Sequence, residues 1–310
     1  MTVALYTHPA CLAHDPGPGH PESRARLQAV LTALAAPRFA DLARNAAPRA
    51  SRAQLERVHT AALVASVLDH APRDGWREID ADTRMSPGSA EAALRAAGAA
   101  CTATDAVITG QARRAFCAVR PPGHHATAAT AMGFCLFNNI AVGAAHALAA
   151  HGLERVAIVD FDVHHGNGTQ DIFEAEPRVL YVSTHQWPLY PGTGSVDEQG
   201  VGNILNVPLP PGAGSATFRA ACERSVLPAL EAFAPDLLMV SAGFDAHQAD
   251  PLAGLALLTD DYAWITTRLV EVAERHADGR MVSSLEGGYD LAALGESAAA
   301  HVAAMLHATS

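Results

Sequence analysis

Three side chains near the middle of the chain carry the strongest chemical signal. They are Asp160, Asp162 and His164, in the stretch Arg155-Val-Ala-Ile-Val-Asp-Phe-Asp-Val-His-His-Gly-Asn-Gly-Thr169. The apolar run Val156 to Val159 reads as a strand buried on both faces. If the chain stays extended, alternate residues share a side, so two carboxylates and an imidazole converge. Such groups are costly to desolvate at a buried strand end, and a bound cation offsets that cost. Asp245, in Ser241-Ala-Gly-Phe-Asp-Ala-His247, follows another apolar run. Asp162, His164 and Asp245 form a donor set that suits zinc and leaves a position open for water and substrate. Iron(II) and other divalent ions accept the same donors. Asp160, His165 and Ser183 could stand behind these ligands or hold another cation. His124 and His125 follow a Pro-Pro-Gly turn and could face the open position. One would serve as general base on an activated water, the other as electrostatic or acid partner. Tyr289, between glycines and an acidic residue, could donate to an oxyanion. For a lone Asp-x-His, a few satisfied polar groups at a strand end would be the simpler explanation.

The elements that must position these groups alternate strand and helix. Strands are expected at Val3–Thr7, Ala115–Val119, Val156–Val159, Val179–Ser183, Asn203–Val207, Leu237–Val240 and Met281–Leu285. Helices are expected at Arg24–Ala36, Ser89–Thr109, Ile140–His151, Ser215–Phe233, Thr259–His276 and Leu291–His307, with another starting near Thr169. Ser51 with Gln54 reads as a capping box on a short helix reaching about His59. Ser215 and Thr259 are expected as N-caps. The Gly/Pro-rich loop from Trp187 to Gly202 is long enough to wall a site. The pattern predicts an α/β fold, a mainly parallel sheet with helices on both faces. No linker, repeat or low-complexity break divides it, so residues 1–310 are read as one domain. In such a sheet the strands' carboxyl ends lie along one edge. His124/His125, Asp160/Asp162/His164, Asp245 and Tyr289 all follow strands, and that convergence weighs more than any single motif.

Composition narrows the classes. The chain has 310 residues, 49% hydrophobic and 17% charged, with a formal net charge of −11 and no lysine. That balance argues against a nucleic-acid-binding surface and mildly suits cationic substrates. The five cysteines, Cys11, Cys101, Cys117, Cys135 and Cys222, form no Cys-x-x-Cys pair. A reduced, cytoplasmic setting is the simpler expectation. Met1 to Tyr6 enters a strand with no signal-peptide pattern, and no apolar stretch is long enough for a membrane span.

Arg120-Pro-Pro-Gly-His-His-Ala126, Gly133-Phe-Cys-Leu-Phe-Asn-Asn139, Val159-Asp-Phe-Asp-Val-His-His-Gly-Asn-Gly-Thr169, Ser241-Ala-Gly-Phe-Asp-Ala246 and Glu286-Gly-Gly-Tyr289 occur in that order. Together they resemble zinc-dependent histone deacetylases, closest to the class II branch with bacterial histone deacetylase-like amidohydrolases and acetylpolyamine amidohydrolases. The resemblance covers nearly the whole chain. It implies a single-domain arginase–deacetylase fold and hydrolysis of an acyl-amide. Asp162, His164 and Asp245 match the zinc ligands. His124 and His125 match the tandem catalytic histidines, His125 as general base, oriented by Asp160 and Asn167 respectively. Asn167 stands where some relatives have Asp, which tunes His125 less strongly. Tyr289 matches the residue that polarises the scissile carbonyl. A structural potassium ion is implied, held by Asp160, Asp162 and His164, partly through backbone carbonyls, with Ser183 and the Thr184 carbonyl. A second monovalent site would lie near Phe173 and Val179. Phe134 and Tyr190 match the aromatic pair of the acyl-lysine channel, with Gly133 beside them.

The substrate reading turns on the rim. Polyamine deacetylases of this family can carry an acidic gatekeeper two residues beyond an Asp-Pro-like step; here Leu252 follows Asp250-Pro251. The region Asp80 to Gly88 is short. Both departures favour acyl-lysine or other acyl-amides over acetylpolyamines. Asp80 or Asp82 could anchor a substrate backbone, and His20 with Glu22 could share that rim. A ureohydrolase would need a second metal set that is not apparent. A catalytically silent acyl-binding protein is the rival of another class; keeping His124, His125 and Tyr289 together argues against it. A homo-oligomer is compatible with everything above.

Overall fold

The computed structural model describes residues 2–306. The expected contributions of Met1 and His307 lie outside the described residues. Among the described residues there are ten strands: β1 (Val3–Thr7), β2 (Ala43–Ala46), β3 (Arg77–Glu78), β4 (Arg84–Met85), β5 (Arg114–Cys117), β6 (Val156–Asp160), β7 (Val179–Gln186), β8 (Ile204–Leu209), β9 (Leu237–Ala242) and β10 (Met281–Leu285). The helices are α1 (Arg24–Ala33), α2 (Arg52–Leu55), α3 (Ala61–Leu68), α4 (Ser89–Ile108), α5 (Asn139–His151), α6 (Asn167–Phe173), α7 (Ser215–Ala221), α8 (Leu227–Phe233), α9 (Thr259–His276) and α10 (Leu291–Leu306).

Eight strands form one parallel sheet in the order β2-β1-β5-β10-β9-β6-β7-β8, and β3 and β4 make a small antiparallel hairpin. Strands β5, β6, β7, β9 and β10 are buried along their whole length. That is why their apolar stretches, such as Val156–Val159 and Leu237–Val240, run on without alternating with polar residues. The alanine-rich α4 packs against α5. Gly143 of α5 comes so close that a Cβ there would sit 3.1 Å from the Ala100 Cβ of α4.

Register aligns the strand ends that matter. Asp160 pairs with Ser183 on one side and Ser241 on the other, and Leu285 pairs with Ala242. Beyond these pairs the chain leaves the sheet at Phe161, Gly243 and Glu286, all on one edge. The predicted α/β single domain is therefore the observed one, and the edge carries the predicted polar clusters.

Some expectations change. The helix foreseen over Ser215–Phe233 is divided by a π turn at Cys222–Val226. Pro228 has no N–H to give back to the preceding turn, and the wider turn absorbs the mismatch. Ser215 is not the cap, because Gly214 holds that position and the Ser215 hydroxyl donates to Asp261 Oδ2 at 2.6 Å. Nor does Thr259 cap α9; Asp261 Oδ2 accepts the Leu258 N–H at 2.9 Å. The Ser51/Gln54 capping box is present. The edge strand β2, the β3–β4 hairpin and helix α3 were not anticipated.

His301 of α10 is fully buried among Phe116, Phe161 and Phe244, and its ring nitrogens meet the Thr266 and Ser283 hydroxyls at 2.6 and 2.8 Å. Burial pushes its pKa from 6.5 down to about 3. The unfolded chain therefore takes up a proton that the folded one refuses. The stability tied to neutral His301 is complete above about pH 6.5 and is lost progressively as pH falls toward about 3. The slope through one such group is at most about 1.4 kcal/mol per pH unit. Unfolding midpoints of His301→Gln between pH 7 and 5 should fall less steeply than those of the wild type. Equal slopes would contradict this assignment.

Candidate metal centre and active site

Asp162 and His164 sit just past β6, and Asp245 just past β9. Their ligand atoms lie within 4.8 Å of one another. Asp162 Oδ1 accepts the His164 N–H at 2.9 Å and lies 3.1 Å from His164 Nδ1; its Oδ2 accepts the Gly287 N–H at 2.8 Å. Asp245 Oδ1 accepts the Val163 N–H at 2.8 Å. Asp245 Oδ2 is buried, and the group that faces it is His164 Nδ1 at 3.2 Å, without the geometry of a full hydrogen bond. A buried carboxylate oxygen without a full hydrogen bond requires an explanation. Burial and the Asp162 charge push Asp245 up to about 7. Burial opposes charge on His164, yet the adjacent Asp162 and Asp245 carboxylates raise it to about 10. Without a metal the cluster gathers protons, so it calls for positive charge. The donors present, two carboxylates and an imidazole, fit a divalent cation. Gly287 is required beside them, since a Cβ there would lie 2.0 Å from Asp245 Oδ2 and 2.5 Å from Asp162 Oδ2.

The turn after β5 brings His124 and His125 to the same place, with ring centroids 4.0 Å apart. His124 Nδ1 meets Asp160 Oδ2 at 2.9 Å, and the Tyr181 hydroxyl donates to that same oxygen at 3.0 Å. Burial opposes charge on His124, but Asp160 and Asp162 outweigh it and lift the pKa to about 10. His125 Nδ1 donates to Asn167 Oδ1 at 2.8 Å, which leaves the lone pair on Nε2. Burial and the neighbouring His124 and His164 hold His125 well below its usual value. The two adjacent imidazoles are thus pushed in opposite directions, the arrangement that separates acid from base. Glu286 anchors this turn. Its Oε2 accepts the Gly123 and His124 N–H groups at 2.6 and 3.2 Å, and its Oε1 accepts the Ser241 hydroxyl at 3.1 Å.

Tyr289 closes the site from the segment after β10. Its N–H donates to Asp250 Oδ2 at 2.6 Å, and the Arg26 guanidinium lies 4.8 Å from its ring centroid. Burial keeps the phenol well above its ordinary value, so it remains a donor. Arg26 also donates to the Glu286 and Gly288 carbonyls. The Glu22 expectation is overturned. Glu22 is completely buried and accepts from Arg26, Arg120 and, at 3.4 Å, His14. Two guanidinium groups and an imidazole hold it in the interior, so it is no rim residue. Arg26, Tyr181 and Glu286 were missed because their partners are remote in sequence. The Glu22/Arg26 spacing of four, across the start of α1 at Arg24, was the only hint.

A cavity of about 240 Å³ leads to these groups, lined by Asp82, Gly133, Phe134, Tyr190 and Leu252 as well as His124, His125, His164 and Tyr289. Phe134 has φ 67°, an uncommon conformation for a bulky residue, and Thr83 Oγ1 fixes it by accepting its N–H at 3.0 Å. A Cβ on Gly133 would lie 2.5 Å from His125 Cδ2. The Tyr190 ring stands 5.1 Å from His125. His20 borders a shallower groove alongside; its ring is 4.7 Å from Phe134 and its Nε2 lies 3.0 Å from the Asp82 carbonyl. Asp80 is spent on its own turn, accepting the Asp82 and Thr83 N–H groups.

Ser183 and Thr184 are buried in β7 beside Asp160. The Ser183 hydroxyl meets His185 Nδ1 at 2.9 Å. A second donor cluster, Asp105, His146 and His151, joins α4 to α5. Arg57 Nη1 lies 2.7 Å from His146 Nδ1, which must therefore accept and leave its proton on Nε2, toward Asp105. That tautomer offers no lone pair to a metal. The five cysteines are unpaired and buried. Among the described residues no helix is long and apolar enough to cross a membrane.

A family model described as histone deacetylase domain matches residues 20–305. The histone deacetylase-like amidohydrolase of Pseudomonas aeruginosa is 42% identical over 314 residues, covering 93% of this chain and 81% of the relative. A probable deacetylase of Archaeoglobus fulgidus is 40% identical over 298 residues, covering 94% and 82%. The crystal structure of the HDA15 HD domain superposes with a TM-score of 0.93 at 38% identity, covering 98% of this chain and 89% of that one. With a model spanning residues 20–305 and relatives aligned over most of both lengths, the chain belongs to the histone deacetylase family.

Proposed function

We propose that this protein is a zinc-dependent amidohydrolase that removes acetyl or other acyl groups from lysine side chains. The observation that carries the reading is the meeting of three features at one narrow cavity: the three-donor set, reached through His164; His125, with its Nδ1 tied to Asn167; and Tyr289. The donor set suits zinc, although iron(II) uses the same ligands. When bound, the metal acts as a Lewis acid on the carbonyl and lowers the pKa of a water to about 7. His125 Nε2 takes the proton as water attacks the acyl carbon, its ring held by Asn167. The Tyr289 hydroxyl donates to the oxyanion. His124, held cationic by Asp160 and Asp162, steadies the negative charge, and a protonated histidine returns the proton to the departing amine. The products are one carboxylate and one free amine.

Phe134 and Tyr190 would flank the methylene chain of the substrate. Leu252 places an apolar group where a polyamine-selective site would need a carboxylate. Asp82 would accept from the substrate backbone, with His20 beside it. One observation favours a second reading, an acetylpolyamine deacetylase: Asp82 offers the cavity a carboxylate. We further infer a structural potassium ion at Asp160, Asp162, His164, Ser183 and Thr184, and a reducing, cytoplasmic setting that suits unpaired thiols.

The test is hydrolysis of an acetyl-lysine peptide, with acetate and the deacetylated peptide released in equal amounts. Tyr289→Phe should lower kcat by about 10²–10³, the usual loss for one oxyanion donor, with metal content unchanged. Full activity in that variant would remove Tyr289 from the mechanism, and no turnover by the metal-loaded wild type would favour the silent acyl-binding protein.

A further inference from the structure

Family resemblance implies a second monovalent cation near Phe173 and Val179, and the residues there do not fit one. Three backbone carbonyls, those of Phe173, Glu176 and Val179, converge on a single atom, Asn203 Nδ2, at 2.7, 3.0 and 2.8 Å. Asn203 is only 5% exposed. Its Oδ1 points the other way and accepts the Val201 N–H at 3.2 Å, and its own carbonyl accepts the Tyr181 N–H at 2.9 Å. These contacts fix the amide orientation, with the nitrogen inward. An amide nitrogen has two protons, fewer than the three acceptors around it. Converging carbonyl oxygens are the surroundings that a dehydrated potassium ion takes in a protein.

We propose that the Asn203 side-chain amide replaces the second monovalent cation, so that this turn is held shut by a covalently tethered donor and needs no ion. The consequence reaches the active site. Phe173 ends α6, whose first residue, Asn167, orients His125. Val179 opens β7, which carries Tyr181 and Ser183. Asn203 is therefore a positioning residue that ties the far end of α6 to the sheet. Removing its amide should turn the carbonyl cage into a cation site.

The experiment compares thermal unfolding midpoints in potassium chloride and in choline chloride at equal ionic strength. Any potassium response of the wild type belongs to the other proposed site, so the readout is the extra response of the variant. Asn203→Ala should lose several degrees in choline chloride and regain most of them in potassium chloride. Asn203→Asp, whose carboxylate faces the same carbonyls, should depend on potassium more strongly still. An unchanged potassium response in Asn203→Ala would overturn the proposal. If neither variant folds, thallium(I)-soaked wild-type crystals decide it. Anomalous density among the Phe173, Glu176 and Val179 carbonyls would overturn the proposal, and its absence there, with the ion bound elsewhere, would support it.

Discussion

Asp245→Asn should empty the metal centre and abolish turnover while leaving the fold intact. Asp245 Oδ2 is the buried oxygen that no full hydrogen bond satisfies, and it faces the same space as Asp162 and His164. Asparagine keeps the shape but removes the charge a divalent cation requires. Metal content should fall from near one ion per chain to near none. The rate should drop at least about 10³-fold, roughly 4 kcal/mol of lost transition-state stabilisation. Stability supplies an independent readout. In excess chelator the wild type keeps two carboxylates in conflict, which is why burial and Asp162 push Asp245 up to about 7. The variant relieves that conflict, so its chelated form should melt no lower than the chelated wild type. In excess zinc only the wild type should gain, because only it binds the ion in the folded state. A variant that keeps its metal would move the ligand set away from Asp245.

His125→Ala should cost about 10²–10⁴ in kcat, the range a positioned general base contributes. Its metal content should not change, because His125 is no member of the ligand set. KM should change little, since the interaction it removes is made chiefly in the transition state. Asn167→Ala removes only the acceptor that fixes the Nδ1–H tautomer, and should cost less. Stopped or single-turnover measurements on metal-replete protein separate these losses from metal loss. A His125→Ala enzyme that retains the wild-type kcat would transfer the base to His124.

Much of this site was legible because its residues are close in sequence. Asp160, Asp162 and His164 were legible as sequence neighbours, although the extended run expected through them ends at Asp160 and a bend, in which Asp162 Oδ1 accepts the His164 N–H, brings the latter two together; the rule that strand ends share an edge joined them to His124, His125, Asp245 and Tyr289. The parts that were not legible depend on distant partners. Nothing near Arg26 announces that it will lie against Tyr289, 263 positions away. Glu22 looked like a loop acid beside His20, and only the folded chain reveals the arginines that draw it into the interior. Asn203 read as the start of a strand, while its role depends on carbonyls, which no side-chain pattern reports. The division of the Ser215–Phe233 helix was legible in principle, since Pro228 was visible and its missing N–H has a known consequence.

The measurement that tests the central claim most directly is a matched substrate panel on the zinc-loaded protein. It contains an acetyl-lysine peptide, a trifluoroacetyl-lysine peptide, N-acetylputrescine and acetylspermidine, each compared by kcat/KM. With Leu252 at the rim and aromatic walls at Phe134 and Tyr190, the lysine peptides should be preferred. A strong preference for the polyamines would contradict the acyl-lysine reading and make a carboxylate such as Asp82 the selector of a cationic chain.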